Sequence, residues 1–238
     1  MPSHLHRGLQ PAIWAPLSFL VALGRLLLLN MSMDYAWRQH TGGELQTNAY
    51  AVQGPDGLIL FDAPDGTTGW LHSQNLRPSV LLLTHGHFDH IGEAALVART
   101  FGCQIGCHAE DRTMLEDPKI FRRWGFSYEG EAAQVDFGLN EGVDQTWAGV
   151  PWKLLHVPGH SPGSVCFYCE DKGLLVGGDV VFRGGVGRWD LPGGDGELLI
   201  RGIHEKILPL PDATKILPGH GPTTELGYEK RTNPFLQG

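Results

Sequence analysis

Thr84-His85-Gly86-His87-Phe88-Asp89-His90-Ile91-Gly92 places three imidazoles and a carboxylate within six residues, directly after an apolar run at 79–83. That run is short and uncharged and reads as a buried strand. In an extended segment alternate side chains share one side, so His85 and His87 can reach the same ion. Asp89 and His90 are adjacent and point differently, which suits a second ion nearby. Imidazole with carboxylate is the donor set of Zn²⁺, and Fe or Mn accept it as well. Gly86 and Gly92 let the backbone turn tightly around the cluster.

Further out, three more residues of ligand type stand in loops that follow apolar runs. His160 lies in Val157-Pro-Gly-His-Ser-Pro-Gly163, Asp179 in Val176-Gly-Gly-Asp-Val180, and His220 in Leu217-Pro-Gly-His-Gly-Pro222. Loops at strand ends display binding groups on a rigid scaffold. Taken singly, a His in a turn is usually a surface residue, and an Asp after Gly-Gly a turn former or helix cap. Together with the dense motif they suggest one ligand set. Asp62 closes the strand pattern at 58–61 and reads equally as a turn former or as a hydrogen-bond partner of the metal loop. The remaining histidines have no ligand-like neighbourhood, and His108 and His156 read as structural.

Around these loops the pattern is strand-rich with interspersed helices. Residues 48–53 and 58–61 flank Gly54-Pro-Asp-Gly57, which predicts a hairpin. Helical spacing over 91–101 ends at Gly102, a C-cap. Short strands are expected at 103–107, 150–156, 165–169, 174–176 and 214–217, and a helix at 198–207. Residues 111–128 read as helix and loop with a break at Pro118. Sheets covered by helices follow from this order, an α/β architecture in one domain over 33–238.

Composition narrows the function. The chain has 238 residues and a formal charge of −8, with no long Lys/Arg run. Nucleic-acid binding draws on basic patches, so it is not expected. The four cysteines are too sparse for a disulfide scaffold and favour a reducing compartment, hence a cytoplasmic location. Cys166 and Cys169 lie three apart in a strand pattern, on opposite faces, and read as buried apolar residues rather than zinc ligands. Residues 1–32 are apolar, carry Pro11, Pro16 and Gly24, and read as a leader or over-extended start outside the fold. The alternative is export or membrane anchoring through residues 8–29.

In this order Asp62, the 85–90 motif, His160, Asp179 and His220 resemble the metallo-β-lactamase superfamily of binuclear metallohydrolases. The resemblance implies an αβ/βα sandwich of two mixed sheets flanked by helices, with the site at one edge. It implies that His85, His87 and His160 hold one metal, that Asp89, His90 and His220 hold the other, and that Asp179 bridges them. The zinc β-lactamases of the commonest class carry Cys near the position of Asp179, which points away from antibiotic hydrolysis. Gly177–Asp190, with Pro192-Gly-Gly-Asp195 and Arg231-Thr-Asn-Pro-Phe235, is most similar to the short relatives of hydroxyacylglutathione hydrolase (glyoxalase II). The long glyoxalase II enzymes grip glutathione with a basic C-terminal segment that has no counterpart here.

The activity expected from this likeness is thioester hydrolysis on a small anionic substrate. A hydroxide held between two divalent ions, Zn²⁺ first, attacks the carbonyl, because Zn²⁺ lowers the pKa of bound water to about 7. Asp89 orients it and accepts its proton. Arg183 and Arg188 read equally as surface residues or as cations for an anionic tail. The competing readings are a persulfide dioxygenase with a single iron, which shares the Gly185–Asp190 stretch, and a lactonase or phosphodiesterase of the same fold. A non-catalytic module predicts a lost ligand, and none is missing.

Overall fold

The structure, a computed structural model, describes residues 37–142 and 145–237. The leader at 1–32 and the anchor reading of 8–29 lie outside the described residues. No helix among the described residues is long and apolar enough to cross a membrane.

Two six-stranded mixed sheets form the centre. The first runs in spatial order β1 (Trp37–Gly42), β2 (Thr47–Gly54), β3 (Gly57–Phe61), β4 (Pro78–Leu82), β5 (Gln104–Cys107) and β6 (Phe137–Gly138). β1 to β3 are antiparallel, and β3 to β6 are parallel. The second contains β7 (Gln145–Trp147), β8 (Val150–His156), β9 (Val165–Cys169), β10 (Leu174–Gly178), β13 (Lys215–Pro218) and β14 (Thr224–Glu225). There β10 and β13 are parallel and the other pairs antiparallel. A separate two-stranded ribbon joins β11 (Val181–Phe182) to β12 (Gly185–Val186).

Strand periodicity of two sorts the core into layers. From β2 and β3, Tyr50, Val52, Ile59 and Phe61 face between the sheets, while Ala49, Ala51, Leu58 and Leu60 face outward under helices. The second sheet answers with Trp152, Leu154, Val165 and Phe167. Phe61 meets Trp152 and Phe167 at ring distances of 5.0 Å each, in the edge and tilted geometries aromatic pairs prefer. Cys166 faces the outer layer and Cys169 the inner one. The offset-of-three reading of that pair is what the strand shows, and all four cysteines are free and buried.

Helices cover the outer faces. α1 (Thr67–Ser73), α2 (Phe88–Ile91), α3 (Ala94–Phe101), α4 (Arg112–Glu116) and α5 (Lys119–Arg123) lie on the side of the first sheet. α6 (Gly196–Gly202) and α7 (Leu226–Thr232) lie on the second. α3 ends at Gly102 in the left-handed region, whose N–H reaches Ala98 O at 2.8 Å, the C-cap the sequence suggests. The expected helix at 198–207 starts two residues earlier, because Asp195 caps it by accepting from Glu197 N and Leu198 N. It then widens into a π-turn over Ile203–Ile207.

This layering decides where chemistry can sit. β3, β4, β8, β10 and β13 all deliver their next residues to one edge of the sandwich. There Asn48 N donates to Gly219 O at 2.7 Å and Val165 N to Thr84 O at 2.8 Å, tying loops of the two halves together.

Candidate metal centre

Seven side chains meet at that edge. The loop after β4 brings His85 and His87, and α2 brings Asp89 and His90. The loop after β8 brings His160, the turn after β10 Asp179, and the loop after β13 His220. Three groups of donors have their ligand atoms within 4.8 Å of one another: His85–His87–His160, His85–His90–Asp179 and Asp89–His90–His220. Asp179 spans them, with Oδ1 3.3 Å from His90 Nε2 and Oδ2 3.4 Å from both His160 Nε2 and His220 Nε2.

The surroundings fix which ring nitrogen faces inward. A carbonyl or carboxylate oxygen only accepts, so an imidazole nitrogen beside one carries the hydrogen. His160 Nδ1 donates to Arg188 O at 2.7 Å, and His220 Nδ1 to Leu45 O at 3.1 Å. His90 Nδ1 donates to Asp62 Oδ2 at 2.8 Å. Thr84 Oγ1 donates to Asp62 Oδ2, and so accepts from His85 Nδ1 at 3.1 Å. In their neutral forms all four rings therefore turn a bare Nε2 toward the centre. Partners of this kind are how proteins orient histidines for metals.

The arrangement fits cations. His85 Nε2 and His160 Nε2 face each other at 3.2 Å, two lone pairs that a shared cation relieves. His90 Nε2 and Asp179 Oδ1 are buried without a hydrogen-bond partner, although buried polar atoms are normally satisfied, and His87 turns its Nδ1 toward His160 Nε2 at 2.8 Å. The backbone makes room as well. A Cβ on Gly219 would lie 2.1 Å from Asp179 Oδ1 and 2.7 Å from His90 Cε1, so His220 can approach only behind a glycine.

Electrostatics divides the histidines. Burial, then the neighbouring His90, His160 and His87 rings, hold His85 well below the ordinary imidazole range. Burial and His160 bring His87 down to about 3. Burial also opposes charge on His90, but Asp89, Asp179 and Asp62 outweigh it and hold that ring well above its usual value. For His220, hydrogen bonds with Asp179 and Asp89 overcome burial and raise it to about 10. Burial alone would raise both carboxylates. His90 chiefly offsets it, bringing Asp89 to about 2 and Asp179 well below the carboxylate range.

Residues outside the motifs complete the scaffold. Asp62 sits at φ 58, a left-handed conformation Asp tolerates, and also accepts from Thr84 N at 2.8 Å. Of its two readings, the hydrogen bond to the metal loop is the one present. Thr47 Oγ1 donates to Asp89 Oδ2 at 2.7 Å from 42 residues away. Buried Asp111 accepts from Gly86 N at 2.9 Å, Ser161 Oγ at 2.6 Å and Gly163 N at 2.7 Å, joining the loop of His85 and His87 to that of His160. Neither Thr47 nor Asp111 lies beside a motif, and no local signal marks them. His108 and His156 stack on each other at 4.1 Å and contribute no ligand to the groups above.

A cleft of about 410 Å³ opens on the centre, and His87, Asp89, His160, Asp179 and His220 line it. Arg188 reaches its lining, but Arg183 does not. Arg183 is exposed and stands over the Tyr228 ring at 5.6 Å, so the substrate role expected of it has no support in its position.

Comparison with known proteins agrees with this geometry. The family model described as the metallo-β-lactamase superfamily matches residues 42–220. The hydroxyacylglutathione hydrolase GloC of Haemophilus influenzae is 40% identical over 176 residues, covering 68% of this chain and 77% of that protein. The crystal structure of the B3 metallo-β-lactamase BLEG-1 superposes with TM-score 0.79 at 40% identity, over 85% of this chain and all of that one. TTHA1623, solved in a di-iron-bound form, gives TM-score 0.75 at 39% identity, over 84% of this chain and all of that one. The chain belongs to the metallo-β-lactamase superfamily and is a metallo-hydrolase of that fold.

Proposed function

We propose that the chain is a binuclear metal-dependent thioesterase. The carrying observation is Asp179, whose two oxygens stand between a three-histidine group and a mixed Asp–His group. His85, His87 and His160 would hold one divalent ion, and Asp89, His90 and His220 the other, with Asp179 shared. The donor set suits Zn²⁺, and Fe or Mn also fit it. The di-iron form of TTHA1623 supports keeping iron among the candidates. Such ions, when bound, acidify a water and polarise a carbonyl.

The chain's own groups supply the rest. Asp89 is ionised at neutral pH and Thr47 Oγ1 donates to its Oδ2, so its carboxylate is placed to orient the attacking water by accepting a hydrogen bond from it, and the proton the water loses passes to solvent. As the new C–O bond forms and the C–S bond breaks, the thiol leaves as thiolate. Its pKa is about 8.5, so no side chain has to protonate it. The likeness to GloC supports a thioester over other esters. The BLEG-1 likeness keeps a β-lactam in the test set, even though no Cys stands at Asp179.

The test is a panel of thioesters, a lactone, a phosphodiester and a β-lactam, assayed with His87→Ala alongside the unaltered protein. Thioester turnover that His87→Ala abolishes, together with a fall in bound metal, supports the proposal. Turnover confined to another class, or unchanged in His87→Ala, overturns it.

A further inference from the structure

The cleft beside the proposed metal groups is lined chiefly by hydrocarbon. Phe88, set between His87 and Asp89, packs against Phe126 at a ring distance of 5.4 Å and against Phe121 at 5.6 Å. Trp124 stands 5.6 Å from Phe121 in edge geometry. Phe88, Phe121, Trp124 and Phe126 all line the cleft, and Phe182 and Val186 of the β11–β12 ribbon line it too. Its volume of about 410 Å³ falls within the range of small-molecule sites, roughly 300–1,000 Å³.

Charge in the cleft points the same way. Among the described residues Arg188 is the only Lys or Arg in the lining, and Asp190 already occupies its guanidinium, accepting from Nε and Nη2 at 2.7 Å each. An adjoining cleft shares Leu45, Phe88, Asp89 and Phe126 and adds Glu44 and Asp65, with no Lys or Arg. A glutathione tail carries two carboxylates and one ammonium, so its net negative charge would meet Glu44, Asp65 and a cation already paired with Asp190.

We propose that the substrate is a thioester bearing an apolar ring-containing group beside the reacting carbonyl, and that the described residues supply no clamp for an anionic tail. This rests on the thioesterase reading and departs from the anionic substrate expected from the sequence. An aryl ring entering the cleft buries apolar area and meets aromatic edges, both favourable. The ring could sit on the acyl or the thiol side, and the choice of probes separates the two.

S-phenylacetyl-N-acetylcysteamine, S-benzyl thioacetate and S-lactoylglutathione are compared on the metal-loaded protein. One of the two aryl thioesters is expected to exceed S-lactoylglutathione in kcat/KM by about tenfold or more, and which one does so places the ring. Trp124→Ala and Phe126→Ala should each shrink that preference several-fold, so two variants guard against a folding defect in one. Binding is read independently by quenching of tryptophan fluorescence with S-benzyl-N-acetylcysteamine, a thioether that cannot be hydrolysed. If no thioester turns over but the thioether saturates the protein and Phe126→Ala weakens it, the thioesterase reading fails and the aryl subsite stands. A preference for S-lactoylglutathione, or thioether binding indifferent to Phe126→Ala, overturns the inference.

Discussion

Asp62 Oδ2 accepts a hydrogen bond from His90 Nδ1 at 2.8 Å, and both side chains are buried. The same carboxylate holds Thr84 and, through its hydroxyl, His85. One residue thus orients a ligand in each proposed metal group. Asp62→Asn keeps a side chain that tolerates φ 58 but loses the charge that anchors the rings. The expected result is ion affinity reduced by about 10–100-fold, measured by chelator competition. Unchanged affinity would remove Asp62 from the positioning role.

Acid should strip the two ions unequally. His90 and His220 are raised, so at neutral pH they hold protons that an ion must displace. His85 and His87 are lowered and impose no such competition. Affinity at Asp89–His90–His220 should therefore fall as pH drops, by about tenfold per unit for each proton displaced. Metal content followed from about pH 8 down to about pH 5 should show this ion leaving first. Calorimetry in buffers of different ionisation enthalpy should register proton release on binding. Loss of both ions in one step contradicts the assignment.

Asp111 accepts three hydrogen bonds from two loops and is fully buried. Asp111→Ala leaves those donors unpaired, at a cost of about 2–4 kcal/mol. For a domain of this size that lowers Tm by about 5–15 °C. Thermal unfolding checks it, and a shift under about 2 °C would mean that water replaces the carboxylate without penalty.

Gly219→Ala puts a methyl group where Asp179 Oδ1 and His90 now meet. The outer layers are untouched, so Tm should move by only a few degrees, while uptake of the ion at His220 is lost. Metal content and thermal unfolding on one preparation separate these effects. Full uptake would show that the loop shifts to admit the methyl.

What the sequence made legible follows from how local each signal is. His85, His87, Asp89 and His90 fall within six residues, and the Gly and Pro beside His160, Asp179 and His220 mark loops after apolar runs. The strands could be read because alternate residues of β2, β3 and β9 face two different cores. Thr47 and Asp111 were silent, since each acts only through a partner 25 or more positions away. The sequence offers Arg183 as a cation for an anionic tail, but the β11–β12 ribbon carries it onto Tyr228. The short helix α7 was not foreseen either. Its buried Glu229 accepts from Gly184 N at 2.8 Å and Asn233 Nδ2 at 3.0 Å, bonds that fix the ribbon beside the cleft.

Ion stoichiometry tests the account most directly. Protein loaded with excess Zn²⁺ or Fe²⁺, freed of unbound metal and measured by elemental analysis, should hold two ions per chain. His220→Ala should reduce this to one, and Asp179→Ala should weaken both. A single ion in the unaltered protein under saturating metal, with His220→Ala holding just as much, would contradict the binuclear centre.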